Sequence, residues 1–268
     1  MATKSPTRRP RLPPTGSGLS DRPLAIVTGG ARRVGRAICA TLARHGCDIL
    51  LTYRTSEDDA ATVVKELREH GAAARAERLD LDDCDATLAW GERIASEEPR
   101  ADVLVHNASI YAPTPLDELD AATALRHYRV NALSPLLLCK ALAPALGRST
   151  LPGGGAIVAM TDMHVLGRPR VEFSAYSMSK AALTEMVRTL ARDLAPRVRV
   201  NAVAPGVVAF PESGYESDPE AQARYIARVP LDRAGTPSDA AEAVRWLALE
   251  ARYTTGEIVR VDGGRWLA

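Results

Sequence analysis

The sequence predicts a single α/β domain of the doubly wound kind, a parallel seven-stranded sheet with helices on both faces. Three observations predict it. Short apolar runs alternate with helix-length segments from Leu24 to the C-terminal end. Most of those runs are continuously apolar, as strands buried on both faces must be. Most also end in a Gly, Asn, Asp or Ser turn before the next helical segment. The 268 residues are enough for one sizeable core, and there is no internal repeat and no sign of a second domain.

In chain order, the first strand is "LAIVTG", 24–29, followed by the turn "TGGARRVG" and a helix opening near Val34. "DILLTYR", 48–54, and "ARAERLDL", 74–81, are the second and third strands. "DVLVHNAS", 102–109, is the fourth and "GAIVAMTD", 155–162, the fifth. The long amphipathic helix "YSMSKAALTEMVRTLARDLA" comes next, then "VRVNAVAPG", 198–206, and "GEIVRVDGG", 256–264. In such sheets ligands bind at the carboxyl ends of the strands, and the unusual polar residues of this chain cluster just after strands.

Ahead of the domain, which spans 23–268, residues 1–22 are rich in Pro, Ser, Thr and Arg, with no acid before Asp21. They lack the apolar centre of a secretory signal, and their prolines argue against an amphipathic transit helix. A disordered basic tail is the expectation. The net charge of +1 points to neither nucleic acid nor a membrane as partner. No apolar run is long enough to span a bilayer, and a cytoplasmic protein is expected. Cys39, Cys47, Cys84 and Cys139 show no CxxC spacing, so no metal site is expected.

In the first turn, Gly29 and Gly35 let the backbone approach a pyrophosphate at the helix N-terminus. The glycines alone fit a ligand-free turn as well. Arg32 and Arg33 add weight, because two guanidinium groups at a helix start oppose its dipole unless an anion joins them. NAD sites place an acid at the end of the second strand. Here that strand ends Tyr53-Arg54-Thr55-Ser56, and Arg54 with the nearby hydroxyls suits a 2′-phosphate, so NADP(H) is the expected cofactor. A merely solvated Arg54 is the alternative. Asp80 either accepts from an adenine amino group or caps the following helix.

Tyr176 and Lys180 share one helix face. An ammonium beside a phenol lowers its pKa, which makes Tyr176 an acid or base near neutrality. Such a pair alone is common on surfaces, and its place after a strand of a nucleotide-binding sheet makes it specific.

Together, TGxxxxxG, the "NAS" after strand four, Asn131 in "RVNALSP", the YxxxK helix, Pro205-Gly206 and "TGEIVRVDGG" resemble the short-chain dehydrogenase/reductases, from about Leu24 to the end. The resemblance implies a Rossmann-type fold. It implies that Tyr176 is the proton donor or acceptor, that Lys180 binds the nicotinamide ribose, and that Asn131 holds a water in the proton relay. An amide bonded to backbone inside a helix is the other reading of Asn131. The cofactor is then expected against Gly29, Arg32, Arg33, Val34, Gly35, Tyr53, Arg54, Ser56, Asp80, Leu81, Asn107, Ala108, Ser109, Tyr176, Lys180, Pro205, Gly206 and Val207.

The chain departs from the family after strand five, where a serine is usual. "AIVAMTDMH" places Asp162 there, although the usual spacing back from Tyr176 falls on Met163, as if the loop were one residue longer. Met cannot do this chemistry. Thr161 or Asp162 can, and Asp162 is preferred. A carboxylate raises the phenol pKa and keeps it ready to donate, which suits reduction of a C=N bond better than oxidation of an alcohol. A cap facing solvent is the plainer role for Asp162.

Arg33 in the first loop, "HNASIYAPTPL" from 106 to 116 and the aspartate in place of serine resemble the pteridine reductases within that family. That resemblance implies NADPH-dependent reduction of dihydropterins or dihydrofolate. It implies that Arg33 bridges cofactor phosphate and substrate, that Ser109 touches both, and that Tyr111 stacks on the pterin ring, ordinary loop packing being the alternative for Tyr111. The segment 207–234 falls where the family builds its substrate lid, with Phe210 and Pro211 as walls. Asp162 and Tyr176 complete the expected substrate contacts. A carbonyl reductase for other ketones or aldehydes is the second reading. A non-catalytic NADP(H) sensor is a third, against which the complete Tyr-Lys-Asn set speaks. Family members are mostly tetramers, so a homotetramer is expected through the helices around Ala121–Ala145 and Ser174–Ala195.

Overall fold

The apolar runs become strands because they have no polar face to leave in water. In the computed structural model, which describes residues 21–210 and 215–268, they form one parallel sheet. The tail expected over 1–22 and the wall expected at Pro211 lie, but for Asp21 and Arg22, outside the described residues. The strands are β1 (Leu24–Val27), β2 (Asp48–Tyr53), β3 (Ala74–Arg78), β4 (Val103–His106), β5 (Gly155–Met160), β6 (Val198–Pro205) and β7 (Ile258–Val261). Their order is β3-β2-β1-β4-β5-β6-β7. The chain therefore winds outward from β1 in both directions, and the reversal lies between β1 and β4, where such sheets open a crevice.

Side chains alternate through the sheet and feed two apolar layers. Ala25, Val27, Ile49 and Leu51 face α1 (Arg33–Arg44), α2 (Glu57–Glu69) and α8 (Pro237–Arg245). Ile26, Leu50, Leu104 and Ile157 face α3 (Cys84–Glu97), α5 (Ser134–Leu146) and α6 (Ser174–Asp193). Helix α1 shows how the pattern works, with Ile38, Cys39 and Leu42 buried at helical spacing and its arginines outside. Helix α4 (Ala121–Tyr128) runs into α5 through a π-helical turn, Arg129–Leu133, which carries Asn131. Helix α7 (Pro219–Ile226) follows the loop after β6. No described helix is long and apolar enough to cross a membrane.

Strand ends on one rim are tied in pairs, β1 to β4 across the reversal and β5 to β6 beside it. The Thr28 hydroxyl accepts from the backbone N–H groups of Asn107 (3.0 Å) and Ala108 (3.2 Å) and donates to Val105 O. The Asn107 amide donates back to Thr28 O (3.1 Å) and Gly29 O (3.0 Å). Gly35 closes the same knot, since a Cβ on it would sit 2.0 Å from Gly29 O. Thr161, after β5, is tied to β6 in the same manner through Val203 O. Asn107→Ala leaves two carbonyls of the first loop unsatisfied, so it is expected to lower the unfolding free energy by about 2 kcal/mol. A fall in the urea midpoint with unchanged slope is the measurement that shows it.

Candidate active site

The rim over β1, β4, β5 and β6 encloses a cavity of about 590 Å³. Of the residues expected around cofactor and substrate, Gly29, Arg32, Arg33, Val34, Gly35, Asn107, Ala108, Ser109, Tyr111, Asp162, Tyr176, Pro205, Gly206 and Val207 line it. Asn131 and Lys180 stand behind the wall, both buried. Tyr53 at the end of β2, Arg54 and Ser56 just after it, and Asp80 and Leu81 after β3 share the rim but do not line the cavity. Leu81 packs into the apolar layer, and its carbonyl accepts from Ser134 Oγ. Asp80 does not cap α3. Its carboxyl accepts from Asp82 N–H, and Asp83 takes the cap by accepting from Ala86 N–H. Phe210 also lies off the cavity, edge-on to Tyr225 at 6.1 Å.

The choice left by the sequence between Thr161 and Asp162 is decided by what each side chain touches. Thr161 is committed to Val203, and Met163 is fully buried. Asp162 accepts from the Tyr176 hydroxyl at 2.7 Å, and its second oxygen accepts from His164 N–H at 2.8 Å. Asp162 caps the turn Met163–Leu166, so the capping role and the place beside Tyr176 coexist in one carboxyl group.

The sequence set Lys180 and Asp162 against each other at the Tyr176 phenol, and in the site the raising influences prevail. Burial, then the negative field and hydrogen bond of Asp162, hold the phenol well above its ordinary value, with Arg170 opposing. The Lys180 ammonium lies 5.9 Å from the tyrosine ring centroid and donates to Met160 O at 2.8 Å. Burial pushes it down to about 8, and Asp162 opposes that fall. His106, beneath the site, is pushed down to about 3 by burial and by the Lys180 charge, and its Nε2 lies 3.1 Å from Cys139 Sγ.

The Asn131 amide is fully engaged. Its oxygen accepts from Ile110 N–H (2.9 Å) and Ser109 Oγ (3.1 Å), and its nitrogen donates to Ile110 O (3.0 Å) and Ser179 Oγ (2.9 Å). These four bonds use its whole side-chain capacity. Asn131 therefore fastens the loop after β4 to α6, and the π-helical turn aims it there.

The first turn fits an anion. Helix α1 begins at Arg33 without a side-chain cap and without an acid in its first turn, so its leading N–H groups keep their partial positive charge. Arg33 holds a left-handed φ of 49° and donates to Ala209 O and Phe210 O, both at 2.9 Å, crossing the cavity mouth. Arg32 turns outward towards Asp59 at 3.6 Å.

Sequence reasoning missed several lining residues, among them His164, Arg170, Glu216 and Tyr225. His164 adjoins Asp162 and was within reach of a local reading. Arg170 and Glu216 lie in segments with no strand or helix periodicity, and only folding brings them together.

Residues 29–265 match the family model described as enoyl-(acyl carrier protein) reductase. The 7alpha-hydroxysteroid dehydrogenase of Escherichia coli K12 is 31% identical over 246 residues, 91% of this chain and 94% of that protein. Cis-4-hydroxycyclohexanecarboxylate dehydrogenase of Sinomonas cyclohexanicum is 35% identical over 254 residues, 93% and 98% of the two chains. The crystal structure of a blue fluorescent protein from a metagenomic library in complex with NADPH superposes with a TM-score of 0.80 at 33% identity, covering 91% of this chain and 97% of that one. With the parallel sheet, the tyrosine–lysine helix and these matches together, the chain belongs to the short-chain dehydrogenase/reductase family.

Proposed function

We propose that this oxidoreductase is an NADPH-dependent pteridine reductase that reduces C=N bonds of dihydropterins or dihydrofolate. The observation that carries the proposal is the 2.7 Å hydrogen bond from the buried Tyr176 to Asp162 at the cavity wall. Oxidising an alcohol needs a phenolate as base, and both burial and Asp162 disfavour that form. Reduction needs a phenol that stays protonated until a strongly basic nitrogen faces it.

NADP(H) is supported by the uncapped N-terminus of α1, by Arg33 and by the NADPH bound to a solved relative. Arg54 and Ser56, just after β2, would supply the guanidinium and hydroxyl that suit a 2′-phosphate. Lys180 keeps donors beyond its bond to Met160 O for a ribose diol. Bound NADPH supplies a hydride to the carbon of the C=N bond. Tyr176 then gives its hydroxyl proton to the nitrogen, which receives the electron pair of the broken π bond. Asp162 steadies that hydroxyl beforehand and, once it turns to the nitrogen, accepts from substrate N–H groups. The rings of Tyr111 and Tyr176 wall the pocket for a flat substrate.

The named relatives act on hydroxyl-bearing compounds by their names, which supports a carbonyl reductase as the second reading. NADPH oxidation with dihydrobiopterin, dihydromonapterin, dihydrofolate and a panel of ketones separates the two. Turnover of the pterins is expected, and turnover of ketones alone removes the pteridine reading. Tyr176→Phe is expected to cut kcat at least about 100-fold while NADPH affinity, read by fluorescence titration, is kept. Asp162→Ser is expected to lower kcat/KM for dihydropterin by about 100-fold and to spare ketones. Lys180 carries its charge below its depressed pKa of about 8 and loses it as the pH rises through that value. NADPH affinity of the free enzyme is thus expected to weaken on the alkaline side of that pH, and Lys180→Met to abolish that dependence.

A further inference from the structure

We propose that Arg170 is a positioning residue of this site: its stacking on two rings and its pairing with Glu216 fix the outer wall of the pocket and the polar surroundings in which Tyr176 releases its proton. The proposal rests on Tyr176 being the proton donor.

Arg170 lies in the loop between the Met163–Leu166 turn and α6, and its guanidinium carbon sits 4.5 Å from the Phe173 ring centroid and 5.5 Å from that of Tyr111. Its guanidinium pairs with Glu216 of the short turn Tyr215–Ser217, the two side chains being 23% and 19% exposed. Glu216 uses its other oxygen to accept from Tyr111 Oη at 2.7 Å. The Tyr111 ring stacks on Phe173 at 4.8 Å and meets the Tyr176 ring edge-on at 5.0 Å. An unbroken series of contacts thus runs from Glu216 through Arg170 and Tyr111 to Tyr176 and Asp162.

Exposed ion pairs add little, but this one is mostly withdrawn from water and shares its acid with a phenol, so loss of the cation leaves the Glu216 carboxylate at the cavity wall with the Tyr111 hydroxyl but no charge partner. A planar guanidinium between rings is not replaceable by an ammonium without loss of fit. The charged and titratable groups around Tyr176 are Asp162 and His164 from the loop after β5, Tyr111 from the loop after β4, Arg170 from the loop before α6, Glu216 and Tyr225 from the segment after β6, Arg32 and Arg33 across the cavity, and Lys180 from its own helix with His106 below it. Arg170 lines the cavity beside the tyrosine, and its field acts against that of Asp162.

The test uses the full chain, NADPH and dihydrobiopterin, or the ketone that the panel shows to be turned over, with kcat and KM measured from neutral to alkaline pH. Arg170→Met is expected to raise KM about tenfold and to move the alkaline limb of kcat to higher pH, because a cation near the phenol is gone. Arg170→Lys is expected to restore the limb but not KM. Glu216→Gln frees the guanidinium to act on Asp162 and is expected to move the limb to lower pH. Should Arg170→Met fail to fold, the other two variants decide. Limbs that stay in place overturn the proposal, as does an equal loss in KM without opposite shifts, which is what a merely structural role gives. Full turnover in Tyr176→Phe overturns the proton-donor reading and this proposal with it. An inactive Tyr176→Phe with unmoved limbs overturns this proposal alone.

Discussion

The rest of the site depends on the knot between Thr28 and Asn107. A parallel sheet that winds outward in both directions must leave a gap between the two strands where it starts, here β1 and β4. Without cross-links the loops after those strands would splay. One hydroxyl and one amide tie them with hydrogen bonds in both directions, and a glycine at 35 permits the close approach. The first loop, with its arginines and the N-terminus of α1, therefore stands fixed opposite the loop that carries Ser109 and Tyr111. Asn131 repeats the device one layer deeper by fastening that second loop to the helix of Tyr176.

With the geometry fixed, the chemistry is a contest of fields around one phenol. Burial and Asp162 favour its protonated form, and the charges of Arg170 and Lys180 are the cations set nearby. The same burial drives Lys180 towards neutrality and leaves His106 uncharged, so the interior tolerates one ammonium with a carbonyl partner rather than a stack of charges. The phenol is thereby held in its protonated form.

Much of this was legible before folding. All seven strands were marked by their apolar runs, although the runs extend into the turns: "LAIVTG" ends as a strand at Val27 and "ARAERLDL" at Arg78. The runs overshoot because rim residues such as Thr28 and Leu79 are buried like strand residues while their backbone already turns. Tyr176 and Lys180 were legible from helical spacing, and Asp162 from its place after a strand. That burial leads the Tyr176 shift was not, because spacing gives neighbours along one helix and says nothing of depth. Asp80 and Asp83 are indistinguishable as caps by composition, and backbone geometry chose the second. Arg170 and Glu216 carried no local signal, their partnership spanning a stretch of chain that no periodicity bridges.

The sequence by itself determined the layered fold, the rim where the polar residues gather and the identity of the tyrosine–lysine pair, because strand burial, helix period and turn chemistry are properties of neighbours in the chain. Tertiary structure alone decided how closely Asp162 meets the phenol, how far the ammonium is withdrawn from water, and which guanidinium closes the wall. Those outcomes depend on distance and desolvation between loops that only the finished sheet sets side by side.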